Sequence, residues 1–136
     1  MSDRKQVASL TLPGIGPDSI AITPDGKKLV VAIEDEENTD KLPGKRLGTV
    51  AIITLDYNNL SKSSIQNIAI NLKGISGVNF PNAPQPEYVA ISPDGKMAAV
   101  TLQENNAIAL IDIKPASVTR IFSARTSYST CRPERR

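Results

Sequence analysis

Hydrophobic residues along the chain fall in short runs, separated by stretches rich in Pro, Gly and Asn. No segment carries the i, i+3, i+4 spacing of an amphipathic helix; the runs have strand character. Ile20 and Ile22 alternate with Ser19, Ala21 and Thr23, which predicts a short strand of period 2. Leu29–Ile33 is apolar on both faces and reads as a strand held between other layers. Thr49–Leu55 is rich in β-branched residues, which favour the pleated surface. Ile68, Ile70 and Leu72 alternate with Asn67, Ala69 and Asn71, predicting an outer strand with one buried and one wet face. The second half predicts strands at Tyr88–Ile91, Met97–Leu102, Ala107–Ile113 and Val118–Phe122. Val7–Leu12, followed by Pro13-Gly14-Ile15-Gly16, reads as the last strand of a preceding unit.

These runs are two copies of one pattern. Residues 17–37 (PDSIAITPDGKKLVVAIEDEE) align with 86–106 (PEYVAISPDGKMAAVTLQENN) without a gap, at an offset of 69. Each copy holds a Pro-Asp-Gly turn between its first two strands. Pro fixes φ at the second turn position, Asp suits the third, and Gly accepts a left-handed backbone, which predicts a type I hairpin turn with a bulge. The copies differ at Asn38–Leu47 (NTDKLPGKRL), extra residues between the second and third strands of the first copy. Insertions of this kind sit in loops.

The fold class expected is therefore all-β, with about two four-stranded antiparallel β-propeller blades forming part of a propeller. Residues 1–16 hold the closing strand of a preceding blade, 17–72 one blade, 73–85 a linker, 86–124 a second blade, and 125–136 an off-pattern, disordered tail. Two blades leave sheet edges and faces uncovered, so weak independent folding is expected, as is pairing with remaining blades or with another chain.

Composition narrows the chemistry. Only 4% of the 136 residues are aromatic and none is Trp, so core volume must come from Val, Ile, Leu and Ala. The net charge of +2 is carried by the end of the chain. Residues 125–136 hold four Arg against Glu134, so residues 1–124 sum to −1 and give no nucleic-acid footprint. With no His and one Cys, Cys131, the chain carries no Ser-His-Asp triad, no His-ligated zinc and no internal disulfide. No apolar run reaches the roughly 20 residues that span a bilayer. The segment MSDRKQVASL lacks the apolar region of a signal peptide.

The pattern PxxIAISPDGKxxxV resembles YVTN-type propeller repeats. Pro86–Ile113, followed by VTRIFSA, resembles the phytase-like propeller family, also called the esterase-like activity of phytase family. The string Val100–Ile113 (VTLQENNAIALIDI) also resembles the choice-of-anchor I propellers. The resemblance covers about residues 7–124 and implies a propeller of more blades, in proteins that are often exported. It stops at Arg125, which leads to the expectation of a reading frame truncated or shifted near that point.

Such propellers place the IAIS strand along a central channel. That arrangement implies Asp18 and Glu87 at equivalent positions of one channel mouth, with Glu34, Asp35, Glu36, Glu37 and Asp40 from one blade and Glu104 from the next. A set rich in oxygen ligands and without nitrogen or sulfur suits Ca²⁺. Two functions stand: a scaffold or blade pair that binds a ligand or partner, and a fragment of a calcium-assisted phosphoric ester hydrolase acting on a phosphorylated small molecule. No catalytic residue is assigned within this chain. The spacing of an EF-hand is absent, and Gly14-Ile15-Gly16 is expected to serve a turn.

Overall fold

The structure, a computed structural model, describes residues 5–35 and 47–124. Two four-stranded antiparallel sheets are formed, each a meander in chain order. The first contains β1 (Pro17–Ile22), β2 (Lys28–Ile33), β3 (Thr49–Thr54) and β4 (Ser64–Ala69). The second contains β5 (Tyr88–Ile91), β6 (Met97–Leu102), β7 (Ala107–Asp112) and β8 (Ser117–Ser123). A short 3-10 turn, Leu60–Lys62, precedes β4. Two consecutive meanders of this kind, side by side, are two propeller blades.

The repeated turn has nearly the same geometry twice. Gly26 and Gly95 take φ +72° and +70°, the left-handed conformation that Gly accepts at low cost. Their amides donate to the carbonyls of Thr23 and Ser92, both at 2.8 Å. The Thr23 hydroxyl donates to Asp25 Oδ1, and the Ser92 hydroxyl to Asp94 Oδ1, each at 2.7 Å. The amides of Lys27 and Lys96 donate to the same carboxylates at 3.0 and 3.1 Å. These bonds favour the ionised form, so both Asp carboxyls lie below their ordinary range, the hydroxyl bond being the largest cause.

Cross-strand register divides each sheet into two faces. On the front of the first sheet stand Val30, Ala32, Val50, Ile52 and Ile68; on the back of the second stand Val89, Val100, Leu102, Ala109 and Ile111. These residues form one buried cluster between the sheets. Their branched and small side chains fill the space that a chain poor in aromatics leaves to aliphatic groups. The inner strands β1 and β5 run alongside one another, and the Val89 amide donates to Ser19 Oγ at 3.2 Å.

The back of the first sheet has its own smaller cluster, Val31, Ile33, Ala51 and Ile53, with Leu10 and Leu12 packed on it. Here the chain departs from expectation. Residues 5–12 form no strand: a strand needs a ladder partner, and none of the described residues pairs with them. The outer strand of the first sheet also starts earlier than the alternation indicates. Ser64 pairs with Thr54, while Ile70 and Leu72 continue the buried alternation past the end of the ladder. Most of the Asn38–Leu47 insertion and all of the tail 125–136 lie outside the described residues.

Candidate functional site

Strand direction decides which loops meet. β1 and β5 both begin at the end where β2 and β6 finish. That end gathers the starts of the inner strands, the residues after β2, and the β6–β7 turn Gln103–Asn106.

Asp18 lies in a register irregularity: Pro17 pairs with Ile33 and Ser19 with Ala32, so Asp18 is the extra residue. A bulge of this kind re-aims a side chain at a strand end. Asp18 is exposed. Glu87 is half-buried just before β5, and its amide donates to the Thr101 carbonyl at 2.9 Å. Burial pushes the Glu87 carboxyl above its ordinary range. The backbone amides of Glu104 and Gln103 work against that shift by favouring the anion, while the charges of Glu104 and Asp18 reinforce it. The Glu87 carboxyl therefore feels the charge of Glu104 on its own blade and that of Asp18 on the other.

The pair after β2 is held by backbone. The Glu34 amide donates to the Gly16 carbonyl at 3.0 Å, and the Asp35 amide to the Ile15 carbonyl at 2.9 Å. Asp35 is buried with φ +61°, an uncommon conformation for a residue other than Gly and one that Asp tolerates. Gly14-Ile15-Gly16 thus extends the β1–β2 ladder as a turn. A Cβ at Gly14 would run into the Ile33 side chain. Glu36, Glu37 and Asp40 lie outside the described residues. Among the described residues, no three of His, Cys, Asp and Glu come together in a geometry that could hold a metal ion. Asp18, Glu34, Asp35, Glu87 and Glu104 share one end of the blades without closing a cage for calcium.

The β6–β7 turn has a residue with a larger structural role than its sequence context implies. Asn105 is fully buried. Its Oδ1 accepts from the Gln85 amide at 2.8 Å, and its Nδ2 faces the carbonyls of Asn79, Phe80 and Ala83 at 3.2, 3.3 and 2.8 Å. One carboxamide fastens the linker to the turn and fixes the rim on which Glu87 stands. The matching position of the first copy is Glu36, so the repeat alone gave no sign of this clamp. Gly48 is a second such point. Its amide donates to the Pro84 carbonyl at 3.1 Å. A Cβ there would collide with the Pro84 and Glu34 carbonyl oxygens and with Pro86 Cδ, all within 2.7 Å.

At the opposite end, a groove of about 500 Å³ runs between the two Pro-Asp-Gly turns, lined by Asp25, Lys28, Asp94, Lys96, Asp112 and Lys114 among others. Several of its charges are engaged locally: Lys28 Nζ donates to Thr54 Oγ1 at 3.1 Å, and Lys96 stands 3.6 Å from Asp94.

A model of the choice-of-anchor I domain matches residues 4–127. The chain belongs to the choice-of-anchor I domain family. Of the two families whose members carry a string like Val100–Ile113, this is the one the match supports. Among solved structures, hydrazine synthase of Kuenenia stuttgartiensis is similar at 18% identity and a TM-score of 0.49, over 69% of this chain and 25% of that one. The apo structure of AztD from Citrobacter koseri is similar at 15% identity and a TM-score of 0.39, over 85% of this chain and 36% of that one. The choice-of-anchor I chain thus spans about a quarter to a third of the solved chains it matches. No curated protein matches it.

Proposed function

We propose that this choice-of-anchor I segment is a non-catalytic propeller scaffold that binds a cationic ligand or partner at the end where β1 and β5 begin. The observation that carries this reading is the alignment of the inner strands. The Val89–Ser19 bond ties β5 to β1, and both blades deliver carboxylates to the same end: Asp18 from one, Glu87 and Glu104 from the other. Burial first, and then the charges of Glu104 and Asp18, raise the cost of ionising Glu87; a bound cation would relieve the part that comes from charge.

Calcium titration of the full chain, followed by calorimetry, probes the charge of this rim. Because the described carboxylates do not form a cage, binding is expected in the range of weak modular sites, with Kd of roughly 10⁻⁴–10⁻³ M. Glu87→Gln should weaken it several-fold, with the circular dichroism of the sheets unchanged. Heats that are absent at millimolar Ca²⁺, or identical in wild type, Glu87→Gln and Asp18→Asn, would overturn the assignment.

A further inference from the structure

We infer that the chain docks head to tail on a second copy of itself, the front of the second sheet of one copy seating on the back of the first sheet of the next.

One such interface already exists inside the chain, where the front of the first sheet packs on the back of the second. The repeat makes equivalence explicit. Through the strand registers, Val50, Ile52 and Ile68 on the front of the first sheet correspond to Ile108, Leu110 and Phe122 on the front of the second. The first set is buried; in the second set Ile108 and Phe122 are 38% and 44% exposed and Leu110 is only half-buried. Thr101 and Arg120 share this face, the Arg120 guanidinium lying 5.4 Å over the Phe122 ring, and no other sheet among the described residues covers its apolar part.

The complementary half is also present. On the back of the second sheet, Val89, Val100, Leu102, Ala109, Ile111 and Val118 meet the first sheet. Their counterparts on the back of the first sheet are Ile20, Val31, Ile33, Ala51, Ile53 and Ile65, which is nearly the same chemistry. That face is covered only in part. Leu10 and Leu12 lie on it without strand pairing, and a hollow of about 320 Å³ remains between them and Ile20, Val31 and Ile53. Ile20 is 63% exposed, whereas its counterpart Val89 is 4% exposed. A second copy carries the matching surface. The contact is heterologous, so it propagates until it closes. Three or four copies would supply six or eight blades, within the usual size of closed propellers.

Sedimentation equilibrium of the full chain over a hundredfold concentration range tests this. The expected result is a mass rising in whole multiples of 14.6 kDa. Ile108→Lys and Ile20→Lys, on opposite halves of the contact, should each lower association at least tenfold with the strand signal in circular dichroism retained. An equimolar mixture of the two variants should recover a dimer, since each keeps the half that the other lacks. Phe80→Ser, at an exposed apolar residue off both faces, should leave the mass distribution unchanged. A monomer at every concentration, or association equally insensitive to Ile108→Lys and Ile20→Lys, would overturn the inference; so would loss of association with Phe80→Ser alone.

Discussion

The two blades are built from one pattern, yet equivalent positions live in different surroundings. Ile52 on the front of the first sheet is fully buried, while Leu110, its counterpart on the second, is half-buried beside the exposed Ile108. Both segments are apolar runs with similar strand character, and both form six-residue strands with the same register. Local sequence decides that each is a strand and which residues share a face. Burial is decided by whether another sheet arrives. The first blade is covered by the second on its front and in part by Leu10 and Leu12 on its back; among the described residues, another sheet packs on only one face of the second blade.

The most forceful way to break this comparison is to truncate the paired positions. Ile52→Ala opens a cavity between the sheets and should destabilise the chain by about 2–5 kcal/mol. Leu110→Ala removes a side chain that is still partly in water and should cost about 1 kcal/mol, measured by urea denaturation under dilute conditions. Equal losses at the two sites would mean that the second front face is covered in solution.

A smaller effect is expected at the joint between blades. Asn105→Ala removes the partner of the Gln85 amide and the donor facing three carbonyls, which should cost about 1–3 kcal/mol. The loss should come with faster hydrogen exchange of the Gln85 amide and little change in β1–β4. Uniform acceleration across both sheets would contradict the role of Asn105 as a local clamp.

The smallest effect is in the pH dependence, where the two ends of the blades should differ in sign. Asp25 and Asp94 have carboxyls held below their ordinary range by Thr23 and Ser92. The stability they contribute is present above the ordinary Asp value, roughly pH 4, and is lost as pH falls through their depressed values. Glu87 is raised, mainly by burial, so its contribution runs the other way. Folding favours its protonated form, and stability rises as pH falls toward the ordinary Glu value of about 4.3. The stability curve should therefore rise slightly on mild acidification and then fall. Glu87→Gln should remove the rise, and Thr23→Val with Ser92→Val should blunt the fall.

Much of this architecture was legible in the chain. The Pro-Asp-Gly turns carry their own geometry in residue type, and Tyr88–Ile91 and Met97–Leu102 are strands with the expected bounds. The start of β4 was not legible. By residue type Ser63 and Ser64 suit a polar turn, yet Ser63 Oγ accepts the Asp56 amide and Ser64 opens the ladder by pairing with Thr54. The direction of Ile20 and Ile22 was also hidden. Alternation shows that they share a face, and only the packing of the second blade shows that this face is turned away from it, leaving them 63% and 55% exposed. Of the candidate site, the equivalence of Asp18 and Glu87 follows from the repeat, and their shared end with Glu104 from the strand placement that the propeller resemblance implies. The bulge at Asp18 and the clamp at Asn105 do not, since both depend on partners far along the sequence.

The two blades pack front to back through one aliphatic layer. Methyl NOE spectroscopy of the full chain under dilute conditions addresses it directly. Cross-peaks are expected between the Val30, Val50 and Ile52 methyls and those of Val100, Leu102 and Ile111, with none joining the first blade to Ile108 or Leu110. Cross-peaks from the first blade to Ile108 and Leu110, with Val100 and Ile111 isolated from it, would contradict the packing and the repeat equivalence built on it.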